Sequence, residues 1–412
     1  MLNEQQKKVI ENNNRFLFLL AGAGSGKTRT IVEKIKYIIN NKIALSSEIL
    51  AITFTKKAAL EMAERIGDKE VFVATFHSFC YKVIKDFDNR EIKIANDQLP
   101  FKKSTLLSIS KYKNGFIKLN KPLLFDEYQK YLLNNDLIDF DDLLVIFLNI
   151  IETFEDVRIK YQAMFKFIFI DEFQDTNELQ YKILKHLISN NNNVLAVGDP
   201  DQSIYSFRGA NPFIINRFIK DYKSSILTLN VNYRSTTSII ENANKVILLN
   251  KDRVKKILIG NTKESGIVER IIFDDKTQEA LFIVNKIKSH IANKIPHSEI
   301  AILFRNHFFA KKVISFLDST YIPYQYDEDN RKNKIQCLTI HQAKGLEFEV
   351  VFIIGLEWDN FPMYVDNMKL ELQEERRLFF VGITRAKRFL YLSCARQIDN
   401  RLTTPSQFFL KQ

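Results

Sequence analysis

Cysteine is scarce, with three in 412 residues, and what little there is excludes two kinds of site. Cys80, Cys337 and Cys394 are odd in number and far apart, so they support neither a disulfide framework nor a zinc site. A reducing cytoplasm is the default compartment. No apolar run approaches the roughly 20 residues of a membrane span, so no membrane is expected as a partner. Met1 leads into the polar stretch NEQQKK rather than into a secretory signal. Acidic residues are outnumbered: 49 Asp and Glu against 60 Lys and Arg leave a formal charge of +11 and a pI near 9.2. That excess suits a nucleic-acid partner, but it also suits a generally Lys-rich surface, and alone it decides nothing. The rest is ordinary for a folded chain. A content of 46% hydrophobic and 26% charged residues argues against disorder, and the length suggests two or three domains.

Apolar runs alternate with helical patterns from end to end, which predicts an α/β fold. Phe16 to Leu20, Ile49 to Phe54, Phe167 to Ile170 and Val194 to Val197 have the look of short buried strands. A second set comprises Ile300 to Phe304, Cys337 to Ile340, Val350 to Ile354 and Phe389 to Ser393. Two such groups predict two parallel-sheet domains. Residues 86–140 are rich in Lys, Asn and aromatics and are expected to be a helical insertion. The expected boundaries are 1–85 with 141–228 for the first sheet domain, 86–140 for the insertion and 229–412 for the second sheet domain. Asn12 to Asn14 and Asn190 to Asn193 are polar turns, and 326–334 is a short charged connector.

The strongest local signal is GAGSGKT, Gly22 to Thr28, directly after FLFLL and before a helix with apolar Ile31, Ile35 and Ile38. Glycines let backbone N–H groups curl around phosphate oxygens, and the helix N-terminus adds its positive end. With Ala21, the cradle comprises Gly22, Ala23, Gly24, Ser25, Gly26, Lys27 and Thr28. Lys27 is suited to the β- and γ-phosphates and Thr28 to Mg²⁺, so a nucleotide with Mg²⁺ is the expected ligand, which the family resemblance set out below makes ATP. A second acidic element is needed. The strand ending at Ile170 delivers Asp171 and Glu172 to its C-terminal edge, Asp171 for metal coordination and Glu172 as base for an attacking water.

Further motifs follow in a fixed order. LNEQQ (2–6), ITFTKKAALEM (52–62) and ATFHSFC (74–80) bracket the glycine loop, and DEFQDTN (171–177), VGDPDQSIYSFRGA (197–210) and NYRST (232–236) come next. LTIHQAKGLEF (338–348) and EERRLFFVGITRAK (374–387) complete the set. In this order they resemble the motifs of UvrD/Rep/PcrA-type DNA helicases of superfamily 1A, over nearly the whole chain. The resemblance implies two RecA-like motor domains in tandem, with a short helical insertion in the first, acting on single-stranded and tailed double-stranded DNA.

It also implies roles residue by residue. Gln6 reads the adenine edge with its amide, and Tyr233 offers a ring to the adenine face. Arg234 and Arg385 match the family's two γ-phosphate arginines; a planar, permanently charged guanidinium can stabilise a transferring phosphoryl group. Both lie in the second sheet domain, so they complete the site only when the domains close. Gln202 stands where the family places a γ-phosphate and water sensor, and Glu347 where a residue bonds the nucleotide sugar or phosphate region. Phe54, Tyr205 and Phe207 match base-contacting aromatics, and His77, Arg305, Asn306 and His341 match positions facing the strand. A core location is the plain alternative for any aromatic in a chain with 34 Phe.

The chain also departs from that pattern. Phe207 stands where many relatives have Trp. Between Ile322–Gln325 and Ile335 only the charged connector intervenes, too short for the large insertion of the second motor domain. ARQIDNRLTTPSQFF (395–409) is shorter than the family's strand-separating hairpin and has no tyrosine at its tip. The expectation is a 3′→5′ single-stranded DNA translocase and helicase, with polarity taken from the resemblance. The alternatives are an accessory translocase feeding a nuclease or repair factor, or a nucleotide-gated DNA-binding subunit of such a complex.

Overall fold

A computed structural model of the chain describes residues 2–88, 92–95, 99–115, 120–211, 213–251, 253–262, 264, 266–326, 333–358, 360–363, 368–399 and 401–410. The chain divides into two units. Met1–Ala21, Gly26–Pro200 and Tyr205–Leu229 make the first; Gly22–Ser25, Asp201–Ile204 and Asn230–Gln412 make the second. The segments 22–25 and 201–204 depart from the expected division, because side chains of the second unit hold them, as described below.

Short runs of aromatic and aliphatic residues form the six strands of the first unit. These are β1 (Phe16–Ala21), β2 (Ile49–Thr53), β3 (Phe72–Thr75), β4 (Phe167–Ile170), β5 (Asn193–Gly198) and β6 (Ser225–Leu229). They are parallel, in the order β3-β2-β4-β5-β1-β6. Leu20 lies opposite Gly198, and Ile170 opposite Ala196, so β4, β5 and β1 end side by side. Among the described residues, α1 (Glu4–Ile10) precedes β1, and the strands are connected through α2 (Lys27–Asn40), α3 (Lys56–Ile66), α4 (Phe76–Phe87), α5 (Lys103–Lys113), α6 (Phe125–Asn134), α7 (Phe140–Thr153), α8 (Glu155–Met164), α9 (Glu178–Leu187) and α10 (Ile214–Tyr222). Ile31, Ile35 and Ile38 of α2 pack on Leu17, Leu19, Phe169 and Leu195 of the sheet, which is what their helical spacing requires.

The described part of 86–140 is helical, as its composition suggested. Its α5 and α6 share a small core of Ile109, Tyr128 and Leu132, separate from that of the sheet. Polar contacts anchor it. Buried Lys113 meets Asp139 at 2.7 Å and Asp142 at 2.6 Å, and Asn177 donates to Asn114 Oδ1 at 2.7 Å.

The second unit carries β7 (Val231–Thr236), β8 (Ile259–Thr262), β9 (Ile267–Asp275), β10 (Ile300–Phe304), β11 (Tyr324–Tyr326), β12 (Ile335–Thr339), β13 (Phe348–Ile353), β14 (Ala386–Ile398) and β15 (Arg401–Leu402). Its helices are α11 (Thr237–Ile247), α12 (Lys276–Ala292), α13 (Lys311–Ser319), α14 (Met368–Ile383) and α15 (Gln407–Leu410). Seven strands form its sheet in the order β11-β12-β10-β13-β14-β15, with β9 also against β14. All pair in parallel except β15, which folds back on β14 with Gln397 opposite Leu402. β7 and β8 pair separately. The second core joins Ile283 and Ile287 of α12 and Val313 of α13 to Ile300, Ile302, Phe304 and Val350 of the sheet. Two expected features meet the limits of description. Residues 327–332 of the charged connector and Asn400 at the hairpin turn lie outside the described residues.

The α/β class with parallel sheets is therefore what the strand pattern indicated. All three cysteines are free and buried. Among the described residues, no helix is long and apolar enough to cross a membrane. Ile302, fully buried at the centre of the second sheet, gives a direct test of that core. Ile302→Ala should cost about 2–5 kcal/mol, read by urea unfolding through the fluorescence of Trp358, the single tryptophan, which lies in this unit.

Candidate functional site

The first half of the site grows out of the C-terminal edge of the first sheet. β1 is buried through Ala21, and the chain then turns through Gly24 at φ 64° and Gly26 at φ 81° before α2 begins at Lys27. These two glycines are required by their surroundings as well as by their backbone. A Cβ on Gly24 would run into the Asn232 side chain, and one on Gly26 would lie 2.8 Å from Gln6 Nε2. Ser25 Oγ donates to the Gly22 carbonyl at 2.8 Å and tightens the turn. Gln6, 3% exposed, belongs to the capping box of α1, where Asn3 N–H donates to its Oε1 at 3.0 Å. Its amide end therefore rests on the glycine loop.

Lys27 Nζ lies 3.2 Å from both carboxylate oxygens of Glu172, and Thr28 Oγ1 donates to Asp171 Oδ2 at 3.1 Å. The end of β4 thus brings both carboxylates to the start of α2. Burial works against the Lys27 charge, but Glu172, Asp199 and Asp171 outweigh it and lift its pKa above the ordinary lysine value. Asp171 responds in the opposite sense. Burial, then the Glu172 charge beside it, pushes its carboxyl up to about 6, with Lys27 opposing. Glu172 adopts φ 51°, a left-handed conformation unfavourable for a residue with a side chain. Its own N–H donates to Asp171 Oδ1 at 2.8 Å, which supports that turn.

Sequence reasoning missed the residue that joins these parts. Gln174, 1% exposed, donates from Nε2 to Glu172 Oε2 at 2.5 Å and accepts the Asp199 N–H on Oε1 at 2.8 Å. It bridges the ends of β4 and β5. Its position inside DEFQDTN, between two acidic residues, was the available signal. Thr28 and Asp171 supply hard oxygen donors of the kind Mg²⁺ takes. Among the described residues no group of three or more His, Cys, Asp or Glu side chains is set to hold a metal.

The second unit arranges its own residues around the same loop segment. Asn232 Nδ2 donates to the Ala23 carbonyl at 2.7 Å, and the Tyr233 N–H to the Gly24 carbonyl at 2.9 Å. The Tyr233 side chain is 44% exposed, so it is not a core tyrosine. Arg234 Nε donates to Glu347 Oε2 at 2.7 Å and Nη1 to the Thr384 carbonyl at 3.2 Å. Burial opposes the Glu347 charge, but Arg234, Lys387 and Arg385 hold its carboxyl below the usual range. Arg385, 2% exposed, donates to the Val381 and Leu346 carbonyls at 2.9 and 3.0 Å. Its Nη2 lies 3.4 Å from Gln202 Oε1. Gln202, Arg234, Glu347 and Arg385 are thus brought together.

The candidate aromatic track is equally well defined. Phe54, just past β2, stacks on Tyr205 with ring centroids 5.4 Å apart and an interplanar angle of 12°. Tyr205 in turn meets Phe207 edge-on at 6.0 Å, and Phe207 is 43% exposed. These three form one ladder rather than part of a core. His77, at the start of α4, packs edge-on against Phe140 at 5.8 Å, and burial lowers its pKa. Arg305, Asn306 and His341 lie in the second unit. Arg305 is paired with Glu375 at 2.9 Å, and Asn306 Nδ2 donates to Asn360 at 2.7 Å. Those two are therefore held by neighbours. His341 is half-buried just after β12.

Comparison with known proteins agrees with this geometry. Residues 2–120 and 102–223 match the UvrD/REP helicase N-terminal domain, and 227–331 and 311–397 the UvrD-like helicase C-terminal domain. The chain belongs to the UvrD/Rep helicase family. A probable DNA helicase II homolog of Mycoplasma capricolum is 35% identical over 372 residues, which cover 79% of this chain and 52% of that protein. A probable DNA helicase of Mycoplasma pneumoniae is 31% identical over 461 residues, covering 99% of this chain and 86% of that protein. The ATP-dependent DNA helicase PcrA of Bacillus subtilis is 36% identical over 350 residues, covering 74% and 47%. The chain thus spans about half the length of the Mycoplasma capricolum and Bacillus subtilis relatives and most of the Mycoplasma pneumoniae one.

The Gln174 bridge is testable as packing. Gln174→Ala removes the acceptor for a fully buried Asp199 N–H. It should cost about 1–3 kcal/mol of stability in urea unfolding followed by circular dichroism. Gln174→Glu, which keeps the acceptor but sets a buried carboxylate against Glu172, should not restore it.

Proposed function

We propose that the chain is an ATP-driven motor on DNA, a 3′→5′ single-stranded DNA translocase and helicase working in the cytoplasm. One observation carries the reading. The run from Asp199 to Phe207 starts beside Lys27 of the phosphate cradle and ends on the aromatic ladder with Phe54. A motor needs that link between fuel and track. The 3′→5′ polarity rests on the family resemblance.

Each residue then has a task. Lys27 and the N-terminal N–H groups of α2 neutralise the β- and γ-phosphates of ATP. Thr28 and Asp171 would hold Mg²⁺, which supplies further positive charge at the phosphate oxygens. Glu172, oriented by Gln174, accepts the proton of the attacking water. Arg234 and Arg385 stabilise charge on the transferring phosphoryl group, and Gln202 senses it. Gln6 and Tyr233 address the adenine, and Glu347 the sugar or phosphate region. Phe54, Tyr205 and Phe207 offer faces for bases, which suits movement on any sequence. His77, Arg305, Asn306 and His341 are proposed to face the strand.

A second reading is favoured by one feature. β15 folds back antiparallel on β14, and the sequence that joins them contains no aromatic residue. This supports an accessory translocase, or a nucleotide-gated DNA-binding subunit, that serves a nuclease or repair factor and unwinds little alone. ATP hydrolysis measured with unwinding of 3′- and 5′-tailed duplexes separates these. Stimulated hydrolysis with 3′-tailed unwinding supports the helicase; stimulation without unwinding supports the accessory motor. Absence of stimulated hydrolysis leaves only the gated subunit.

Lys27→Ala should abolish turnover, whereas Glu172→Gln should retain ATP binding and stall hydrolysis. Near-normal turnover in Glu172→Gln would remove that residue from the base role. Phe207→Ala should weaken single-strand affinity by about 1–3 kcal/mol with little dependence on base, while basal hydrolysis survives. Titration of labelled single strands of different composition checks both points.

A further inference from the structure

Between β5 and α10 the chain leaves the first unit for four residues, Asp201–Ile204, which pack with the second. Cations of the second unit grip this segment. Arg253 straddles the Asp201 carboxylate, with Nε 2.9 Å from Oδ1 and Nη2 2.6 Å from Oδ2, and Lys256 Nζ meets Oδ2 as well. Arg253 also donates to the Lys256 carbonyl at 3.0 Å, which fixes the two cations against each other. One residue on, Lys344 Nζ donates to the Gln202 carbonyl at 2.8 Å, and Arg377 Nε to the Ser203 carbonyl at 2.8 Å.

This arrangement is more than packing calls for. The side chains of Asp201, Arg253 and Lys256 are 2%, 8% and 2% exposed. Removing three charges from water is costly, and a hydrophobic cluster of similar volume would serve stability as well. Burial works against the Asp201 charge, yet Lys256 and Arg253 hold its carboxyl below the usual range. What an ion cluster adds over an apolar one is direction: a bidentate guanidinium fixes a carboxylate in position and in plane. Arg253 and Lys256 lie between α11 and β8, outside every motif above. The residue next to the fixed carboxylate is Gln202, whose Oε1 is near Arg385.

We propose that Arg253 and Lys256 are positioning residues for Gln202: through Asp201 they set the placement of its amide. The proposal rests on the motor reading. Asp199 neighbours Lys27 and Tyr205 stacks on Phe54, so a clasp at 201 holds the stretch through which track occupancy reaches the phosphate site.

The test uses two variants of the full chain that keep the cluster tolerable. Arg253→Lys preserves charge and loses the fork; Lys256→Met leaves the balanced Asp201–Arg253 pair. ATP turnover is measured with and without oligo-dT, together with equilibrium affinity for a fluorescent ATP analogue and for oligo-dT. Turnover is expressed per nucleotide-binding molecule, so loss of folded protein does not enter. Both affinities should hold while DNA-stimulated kcat falls by about tenfold or more, the scale of small misplacements. Placed on Gln202→Ala, neither change should slow turnover further. Wild-type stimulation in both variants, or an equal slowing in the Gln202→Ala background, overturns the positioning role. A wild-type chain without DNA-stimulated turnover instead overturns the motor reading, and this inference with it.

Discussion

A lysine ammonium held out of water among carboxylates is the constraint on which the first unit depends. Lys27 sits 3.2 Å from Glu172, with Asp171 and Asp199 near enough to raise its pKa. Buried ions cost several kcal/mol each unless closely paired and hydrogen-bonded, so the arrangement survives only where every partner is fixed. The sheet order β4-β5-β1 fixes them, because it sets the ends of three parallel strands next to one another. Gly24 and Gly26 let the loop approach closely, and Glu172 accepts a left-handed backbone to turn its carboxylate onto Lys27. Gln174 then locks the ends of β4 and β5 at a common height. A phosphate bound here as proposed would meet a cation whose charge its carboxylate neighbours sustain.

Much of this was legible because buried parallel strands are uninterrupted apolar runs. The expected Phe167 to Ile170 and Ile300 to Phe304 coincide with β4 and β10. β9 escaped because its partner is β14 alone, and its residues alternate between half-buried and exposed, with Glu269 and Arg270 breaking the apolar run. β3 and β6 escaped as edges of the first sheet, where Phe72 and Ile226 remain partly exposed. β14 runs well beyond the expected Phe389 to Ser393, since Lys387, Arg388, Arg396 and Gln397 at its ends carry no strand signal. For the site, residue types that act on a phosphate stand in one short loop and one short acidic element, and both were readable. Gln174 and Arg253 were not. Their meaning comes from Asp199 and Asp201, partners brought by the fold rather than by spacing.

The arginines show how environment sorts one residue type into different tasks. Arg305 meets the carboxylate of Glu375, and burial raises the Glu375 pKa despite that partner. Arg234 meets Glu347 and a carbonyl, which orients the guanidinium while leaving the pair partly accessible. Arg385 donates to neutral oxygens of Val381, Leu346, Thr384 and Gln202, and its charge also helps to hold the Glu347 carboxyl low. Neutral acceptors orient a guanidinium through its N–H groups. Because a guanidinium is planar and cannot lose its proton, such a site delivers a full positive charge in a set orientation. That is the property wanted where negative charge spreads over phosphoryl oxygens.

Fuel and track share an edge for a topological reason. In a parallel sheet every strand's C-terminal end points the same way, and the loops that follow it carry ligand-binding residues. The loop after β1 carries the proposed phosphate cradle, those after β4 and β5 supply Asp171, Glu172 and Asp199, and those after β2 and β5 supply Phe54 and Tyr205. The β5 loop therefore contributes to both groups within a few residues. Its two ends differ in character. Asp199 is fully buried and held by Gln174, whereas Phe207 is 43% exposed with its ring edge-on to Tyr205. An aromatic ring left half in water gains most from a stacked base, because stacking covers apolar surface that folding did not. The motor proposed above would need a single loop that reaches from a packed end to a half-exposed one, and the β5 loop has both.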